Sequence, residues 1–429
     1  MLSIFLKKSF LNLPILGITL ALSSSLSLIA DDQGAFPAQI PMEKPDRPLS
    51  AAMHRMYDQW NPHEDHGNEL YSNFKYTDLK GLERSPNISR RDPSKIIRVN
   101  GKYYVWYTHR NTAPPVGPQK ATDTIPSFDW DLSDIWYATS KDGYTWEEQG
   151  PALKRPEKPT YGWRSVTTTD ILIWQGKYYL YYQAFNETPG LRSDRAAVAV
   201  ASSDSPDGPW TMHHTPVIDF GKEGEWDSAA IHDPYPIVYK DQIHIYYKGS
   251  PGKRKEGNII RAQGLARGTN PLGPFVKSKL NPVINSGHEA AVFPWKDGVA
   301  AIVSIDGPEK NTIQYSPDGE NFHVVSNIQM PPVAPGSFIP DAYANNGDGR
   351  GITWGLSHVN FKGSGVQNNC GLLRFDCDLS LDVDREIFKR NNLRFNIETY
   401  LQNGVALPKY LQNKIKKEQQ AVDKDTITP

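Results

Sequence analysis

Acidic residues recur at matching positions ahead of three strand-like segments of this chain. Asp92, Asp233 and Glu289 each stand 10 or 11 residues before the apolar or aromatic strand that follows. Two carboxyl groups can hydrolyse a glycosidic bond by inversion when one activates water, the other protonates the leaving oxygen, and roughly 6.5–9.5 Å separates them. A third carboxylate nearby raises the pKa of the acid by repulsion. A single Asp-Pro pair is a common turn, so the repetition is what favours one shared site.

The elements that must position these residues form a repeat. A few apolar residues, a turn and an aromatic-rich strand recur at 96–107, 171–182, 236–247, 292–303 and 348–354. Turn pairs such as Asn100-Gly101 and Gln175-Gly176 are hairpin signals. A second hairpin follows, for example at 135–146 and 198–210. Repeated four-stranded units predict an all-β fold, a five-bladed β-propeller; an all-β sandwich with long loops is the alternative.

The innermost strand of each propeller blade lines the central axis, so equivalent positions on different blades converge. The three acidic residues would therefore surround one pocket. The equivalent position in the second blade is near Thr167, followed by Asp170, and Asp341 is a further candidate ahead of the fifth blade.

Composition excludes several classes of protein. The 429 residues contain 47 Lys and Arg against 48 Asp and Glu, so a basic nucleic-acid binder is not expected. The only two cysteines, Cys370 and Cys377, are expected to be unpaired, which argues against a disulfide framework or a zinc-thiolate site. No phosphate-binding glycine loop is present, so nucleotide chemistry has no support.

The N-terminus has the pattern of a secretory signal. Lys7 and Lys8 precede an apolar stretch at 13–22 and small residues up to Ala30, and this stretch is too short to span a bilayer. We therefore expect an exported protein, periplasmic or secreted, with no membrane attachment after removal of the signal.

Four parts of the chain follow from these patterns. Residues 1–30 are the predicted signal peptide, and 31–85 are a leader with a helix at 50–60 that Ser50 caps. Residues 86–380 are the predicted propeller. Residues 381–429 are a C-terminal extension with a charged stretch at 408–420.

Several segments together resemble glycoside hydrolase family 117, namely residues 89–95, 128–135, 140–150, 165–172 and 288–294. The resemblance implies a five-bladed propeller related to the arabinanase-like glycosidases. It also implies release of 3,6-anhydro-L-galactose from the non-reducing end of neoagarobiose and neoagaro-oligosaccharides, by cleavage of an α-1,3 bond. A homodimer built through the N-terminal helical segment is a further implication.

The resemblance assigns roles residue by residue. Asp92 matches the general base, and Asp233 and Glu289 match the other two acidic positions. His288 matches a histidine proposed as the general acid, and we expect a neighbouring carboxylate to raise its pKa. Whether His288 or Glu289 is the acid stays open, and His288 could instead orient Glu289. No cofactor is required, although the family allows a divalent cation, to which His232 could contribute.

Candidate substrate contacts complete the predicted site. Trp130 lies in a loop, and sugar C–H faces stack on such rings, so it is the first candidate for a subsite wall. Arg91, Thr168, Gln183 and His232 are further candidates. Segment 217–228 looks shorter than in agar-active members of the family. Three alternatives therefore remain: another red-algal galactan fragment, an α-L-arabinoside or β-xyloside, and a non-catalytic carbohydrate-binding propeller.

Overall fold

A computed structural model describes residues 34–58, 69–252, 257, 259, 261–343, 349–361 and 369–389. The predicted signal peptide, the last two residues of the predicted helix and the charged stretch at 408–420 lie outside the described residues. Within them, no helix combines the length and apolar character needed to cross a bilayer.

Antiparallel strands account for nearly all of the described secondary structure. The helices are α1 (Ala51–Asp58) and α2 (Glu386–Lys389), with a 3-10 turn at Pro118–Lys120. The strands are β1 (Lys75–Asp78), β2 (Ser89–Arg91), β3 (Ile97–Val99), β4 (Lys102–Arg110), β5 (Asp134–Ser140), β6 (Trp146–Leu153), β7 (Ser165–Trp174), β8 (Lys177–Phe185), β9 (Ala196–Ser203), β10 (Thr211–His213), β11 (Ala230–Tyr239), β12 (Gln242–Ser250), β13 (Ala262–Gly268), β14 (Val276–Lys277), β15 (Ala291–Lys296), β16 (Gly298–Val303), β17 (Thr312–Ser316), β18 (His323–Asn327), β19 (Val333–Ser337), β20 (Gly349–Phe361) and β21 (Asn369–Ser380).

The strands pair in runs that we call quartets. The first quartet is β2–β6, in which β2 and β3 both pair with β4 as one interrupted inner strand. The second is β7–β10 and the third is β11–β14. The remaining eight strands form one sheet, in which β15–β18 and β19, β20, β21 and β1 are two such runs joined by two residue pairs between β15 and β20.

The hairpin turns explain why the inner strands pair with their neighbours. Asn100 and Gly101 have φ of 49° and 78°, and Gln175 and Gly176 have φ of 51° and 77°. Two consecutive residues with positive φ twist the chain to match the strands on either side. The hairpins predicted at these positions are thus confirmed.

The inner strands are buried on both faces, because neighbouring quartets pack against them. All ten residues of β11 are buried, as are the first five of the six residues of β15. Trp106, Trp226 and Trp295 fill the spaces between sheets and have almost no exposed surface. Cys370 and Cys377 are buried free thiols, as predicted.

Each inner strand also has a residue other than glycine with positive φ, either within the strand or just before it, and ahead of the hairpin turn. These residues are Asp92 (50°), Thr168 (40°), Asp233 (48°), Glu289 (65°) and Ala334 (48°). The pairing register shifts around Thr168, Asp233 and Ala334, as in a β-bulge, which redirects a side chain away from the regular ladder. The positive φ therefore recurs in all five quartets, and the shift of register in three of them.

This pattern refines one sequence assignment and corrects another. The residue of the second quartet that matches Asp92 is Thr168, next to the predicted Thr167. In the fifth quartet it is Ala334 rather than Asp341, whose carboxylate accepts a hydrogen bond from the backbone of Arg350.

One part of the predicted leader pairs with a sheet. Helix α1 is described over Ala51–Asp58, and the Ser50 hydroxyl accepts a hydrogen bond from the Met53 amide at 3.3 Å, so the predicted cap is confirmed. Strand β1 pairs with β21, so residues 75–78 belong to the last sheet and not to the leader. Dimerisation through the leader stays a prediction.

Candidate active site

The nine residues predicted for the site line one cavity of about 230 Å³. A smaller cavity of about 30 Å³ adjoins it and shares four of its lining residues, Asp92, Thr168, Asp233 and Glu289. Ala334 also lines the smaller cavity, so the positive-φ residues of all five quartets meet there. The nine residues are Arg91, Asp92, Trp130, Thr168, Gln183, His232, Asp233, His288 and Glu289.

Asp92 is held rigidly and stays charged. One carboxylate oxygen accepts a hydrogen bond from Nδ1 of His358 at 2.9 Å. The other accepts from Nε of Arg91 at 2.8 Å and from the Thr168 hydroxyl at 3.1 Å. Burial alone would raise the pKa of Asp92, but the Arg91 charge and the His358 hydrogen bond outweigh it and lower that pKa. The geometry suits a general base.

Glu289 has the opposite environment. Its Oε1 lies 3.7 Å from Arg91 and 3.8 Å from His288, both beyond hydrogen-bond distance. Its buried Oε2 has no hydrogen-bond partner among the described residues. Burial, together with the negative charges of Asp92 and Asp233, raises the pKa of Glu289 to about 7. A carboxyl group that keeps its proton near neutral pH suits a general acid.

Asp233 and His288 occupy the neighbouring part of the cavity. Asp233 forms an ion pair with Lys248 at 2.5 Å, and Nε2 of His288 lies 3.9 Å from the Asp233 carboxylate. Burial and the positive charges of Lys248 and Arg261 lower the pKa of His288. This corrects the expectation that a neighbouring carboxylate raises that pKa, because the cations and the loss of water outweigh the carboxylates.

Arg91 and Trp130 form one wall of the cavity. The Arg91 guanidinium lies 5.2 Å from the centre of the Trp130 ring, which stacks on Phe128 at 4.7 Å. Asp129 lies 3.7 Å from Arg91 and accepts two hydrogen bonds from Arg110. The indole is therefore backed on one face, as a flat sugar-binding wall requires.

Two of the other three predicted contacts, Gln183 and Thr168, belong to hydrogen bonds that support the bulges. The Gln183 amide oxygen accepts a hydrogen bond from the Asp233 backbone at 2.7 Å. The Thr168 amide donates to the Thr108 hydroxyl at 2.8 Å. His232 is buried, with Nε2 at 2.8 Å from the Asp194 carbonyl, and burial lowers its pKa.

Sequence reasoning missed four residues of this network: Thr108, Asp129, Lys248 and His358. Lys248 lies on the second strand of the third quartet and His358 on the second strand of the fifth, where the repeat gives no acidic signal. A search of second strands for polar residues at the level of the bulge could have found Thr108, Lys248 and His358.

The described residues offer one cluster with metal-binding donors, Asp92, Glu289 and His358, whose ligand atoms lie within 4.8 Å of one another. The fit to a cation is poor, because both oxygens of Asp92 and Nδ1 of His358 are already hydrogen-bonded and Arg91 supplies the positive charge. His232 is not part of this cluster. We therefore derive no step through a metal ion.

Comparisons with known proteins agree with this chemistry. The family model for glycosyl hydrolases family 43 matches residues 84–263. Zg3597, a family 117 glycoside hydrolase from the marine bacterium Zobellia galactanivorans, is 52% identical, covers 78% of this chain and 99% of its own, and superposes with a TM-score of 0.73.

More distant similarity concerns the fold alone. The structure of BT0996 in an RGII complex is 14% identical, with a TM-score of 0.52 over 76% of this chain and 95% of its own. No curated protein matches this chain. At 52% identity over nearly the whole length of Zg3597, the chain belongs to glycoside hydrolase family 117.

Proposed function

We propose that this glycoside hydrolase removes 3,6-anhydro-L-galactose from the non-reducing end of neoagarobiose and neoagaro-oligosaccharides, by cleaving the α-1,3 bond with inversion. The observation that carries the proposal is a single polar cavity in which Asp92 is charged while Glu289 has a pKa of about 7. A cavity of about 230 Å³ is smaller than the ~300–1,000 Å³ of drug-sized ligand sites, which favours binding of one terminal sugar.

The mechanism needs a base and an acid. Asp92 takes a proton from a water molecule as that water attacks the anomeric carbon, and Glu289 donates its proton to the departing galactose oxygen. Glu289 is the better acid, because the pKa of His288 is lowered and its ring is neutral at neutral pH. Asp233, close to His288 and paired with Lys248, supplies charge that keeps Glu289 protonated.

The close approach of the pair leaves little room for the attacking water. One oxygen atom of Glu289 lies within 4.8 Å of one oxygen atom of Asp92, whereas inverting enzymes hold the two carboxyl groups roughly 6.5–9.5 Å apart. Asp92 is fixed by three hydrogen bonds, whereas Glu289 makes only loose contacts. We therefore expect the sugar and its attacking water to turn the Glu289 carboxyl away from Asp92.

The wider organisation is also part of the proposal. Five quartets whose positive-φ residues line one small cavity are what a five-bladed propeller requires. Export by the N-terminal signal and dimerisation through the leader fit an enzyme that meets algal oligosaccharides outside the cytoplasm.

One assay tests the reaction. Purified enzyme is incubated with neoagarobiose, the products are separated by chromatography, and the anomer first released is identified by proton NMR. We expect 3,6-anhydro-L-galactose and galactose, with inversion. Retention would mean that the short spacing of Asp92 and Glu289 is the working one.

A panel of substrates separates the alternatives. Sulfated and methylated galactan fragments, an α-L-arabinoside and a β-xyloside are assayed in parallel with neoagarobiose. Cleavage of one of these compounds alone would change the proposed substrate and leave the assignment as a glycoside hydrolase unchanged. Tight binding of neoagarobiose without any product would indicate a carbohydrate-binding protein and reject the proposal.

A further inference from the structure

A buried ion pair joins two inner strands close to the bulges of the site. Lys95 follows Asp92 by three residues, and Asp170 follows Thr168 by two. The Lys95 ammonium lies 2.5 Å from one oxygen of the Asp170 carboxylate, and the Lys95 amide donates to the other oxygen at 2.8 Å. One carboxylate therefore ties the first quartet to the second at two points.

The third quartet is attached at the same place. The Lys95 ammonium lies 4.0 Å from the centre of the Tyr235 ring, which is a cation–π contact. Tyr235 follows Asp233 by two residues, and both Tyr235 and Asp170 line the smaller cavity together with Asp92. The pair thus lies immediately beside the residues that carry the chemistry.

The bulges need such support. Asp92, Thr168 and Asp233 have positive φ, which is unfavourable for side chains of this kind and persists only where the surroundings enforce it. The bulges also interrupt the ladder that would otherwise fix these residues. Side-chain contacts between quartets are therefore what fixes their relative positions.

Connecting strands through a buried ion pair costs free energy, because both charges lose their contact with water. Lys95 and Asp170 are 1% and 2% exposed, and burial raises the pKa of Asp170 and lowers that of Lys95 to about 8. Well-packed apolar residues often stabilise a core at least as well as a buried ion pair. Stability alone therefore does not explain why charged residues occur here. Their directional bonds to two strands do explain it.

We propose that Lys95 and Asp170 are positioning residues of the reaction, which fix the inner strands so that Asp92, Thr168 and Asp233 meet at the distances that catalysis requires. The inference rests on the proposed function for its kinetic test and extends to residues that contact no substrate.

The kinetic test uses D170N and K95M, with rates expressed per folded molecule. A misplacement of about 1 Å at the reacting centre can lower the rate about 10²-fold, so we expect kcat to fall by about that factor while KM changes much less. The double variant K95M/D170N leaves no lone buried charge. It should recover thermal stability and keep the low kcat.

A matched control separates positioning from general destabilisation. Arg374 and Asp376 form another buried ion pair, at 2.8 Å, and neither lines either cavity. D376N should lower the melting temperature and leave kcat per folded molecule close to wild type. A kcat of folded D170N within about twofold of wild type, as for D376N, would overturn the inference.

A second measurement needs no substrate. Hydrogen–deuterium exchange of D170N should rise in peptides covering 89–98, 165–172 and 230–238, whereas that of D376N should rise around β20 and β21. Unchanged exchange in the first three segments would also overturn the inference. Failure of the wild-type enzyme on every oligosaccharide would count against the proposed function and leave the exchange result to decide this one.

Discussion

Asp92 is the residue on which turnover should depend most. Its carboxylate is charged and fixed by Arg91, Thr168 and His358. In D92N the amide cannot take a proton from water, so we expect kcat to fall by about 10²–10⁴-fold, with the fold retained.

Steady-state kinetics and circular dichroism measure this. Asp204 is an exposed aspartate, with 83% of its side chain accessible, and D204N is the control that should keep full activity. Near-wild-type turnover of D92N would reject the role of Asp92 as the base.

Glu289 should set the pH dependence of the reaction. Its pKa of about 7 means that the protonated form is abundant below neutral pH, so kcat should be high there and fall about tenfold per pH unit well above 7. The same shift affects stability. Because this pKa is higher in the folded protein than its ordinary 4.5, stability is fully present below about 4.5 and is lost as pH rises towards 7.

E289Q tests both effects. The variant should be inactive, and its melting temperature should exceed that of the wild type more at pH 8 than at pH 4.5, since only the wild type buries a charge at pH 8. Equal differences at the two pH values would contradict the raised pKa.

At the scale of elements, the helix α1 offers a local test. The Ser50 hydroxyl accepts from the Met53 amide at 3.3 Å and donates to the Pro282 carbonyl at 2.8 Å. Loss of an N-cap costs about 0.5–2 kcal/mol, so S50A should lower the free energy of unfolding by that amount in urea denaturation. T215A, at an exposed position, is a comparison variant, and a change no larger than that of T215A would show that the cap contributes nothing.

The hairpins were predictable from sequence, whereas the bulges were not. Residue pairs such as Asn100-Gly101 signal a turn by themselves, because few other residues accept positive φ at both positions. The positive φ of Thr168 and Ala334 depends on contacts with other quartets, for example from Thr108 to Thr168. Such contacts between distant parts of the chain leave no local pattern.

The same limit explains which residues of the site could be predicted from the sequence. Asp92, Asp233 and Glu289 were found because they share an offset within the repeat. Lys248 was missed because it acts on Asp233 from the strand beside it. His358 was missed because it reaches Asp92 of the first quartet from the fifth. The prediction of a raised pKa for His288 was wrong. The cations that lower this pKa come from elements whose proximity could not be predicted from the sequence.

At the scale of the whole molecule, the start and end of the described sheet region meet in one sheet. Strand β1 pairs with β21 over four residues, and the Ser72 hydroxyl accepts a hydrogen bond from the Asp378 amide at 2.9 Å. Phe74, just before β1, is buried and its ring contacts Phe375 edge-on at 6.1 Å. We expect a contact that joins the two ends to contribute to the stability of every sheet between them.

We therefore expect F74A to lower the free energy of unfolding by about 3–5 kcal/mol, the usual cost of removing a buried phenylalanine ring. Because strands from near both ends of this region pair with each other, the loss should appear as one cooperative transition at lower urea, with fluorescence and circular dichroism coinciding. M42A, at a fully exposed position, should unfold like the wild type. Two separate transitions in F74A, with only the last sheet lost in the first, would show that the pairing of β1 with β21 is a local attachment and that the quartets do not stabilise one another.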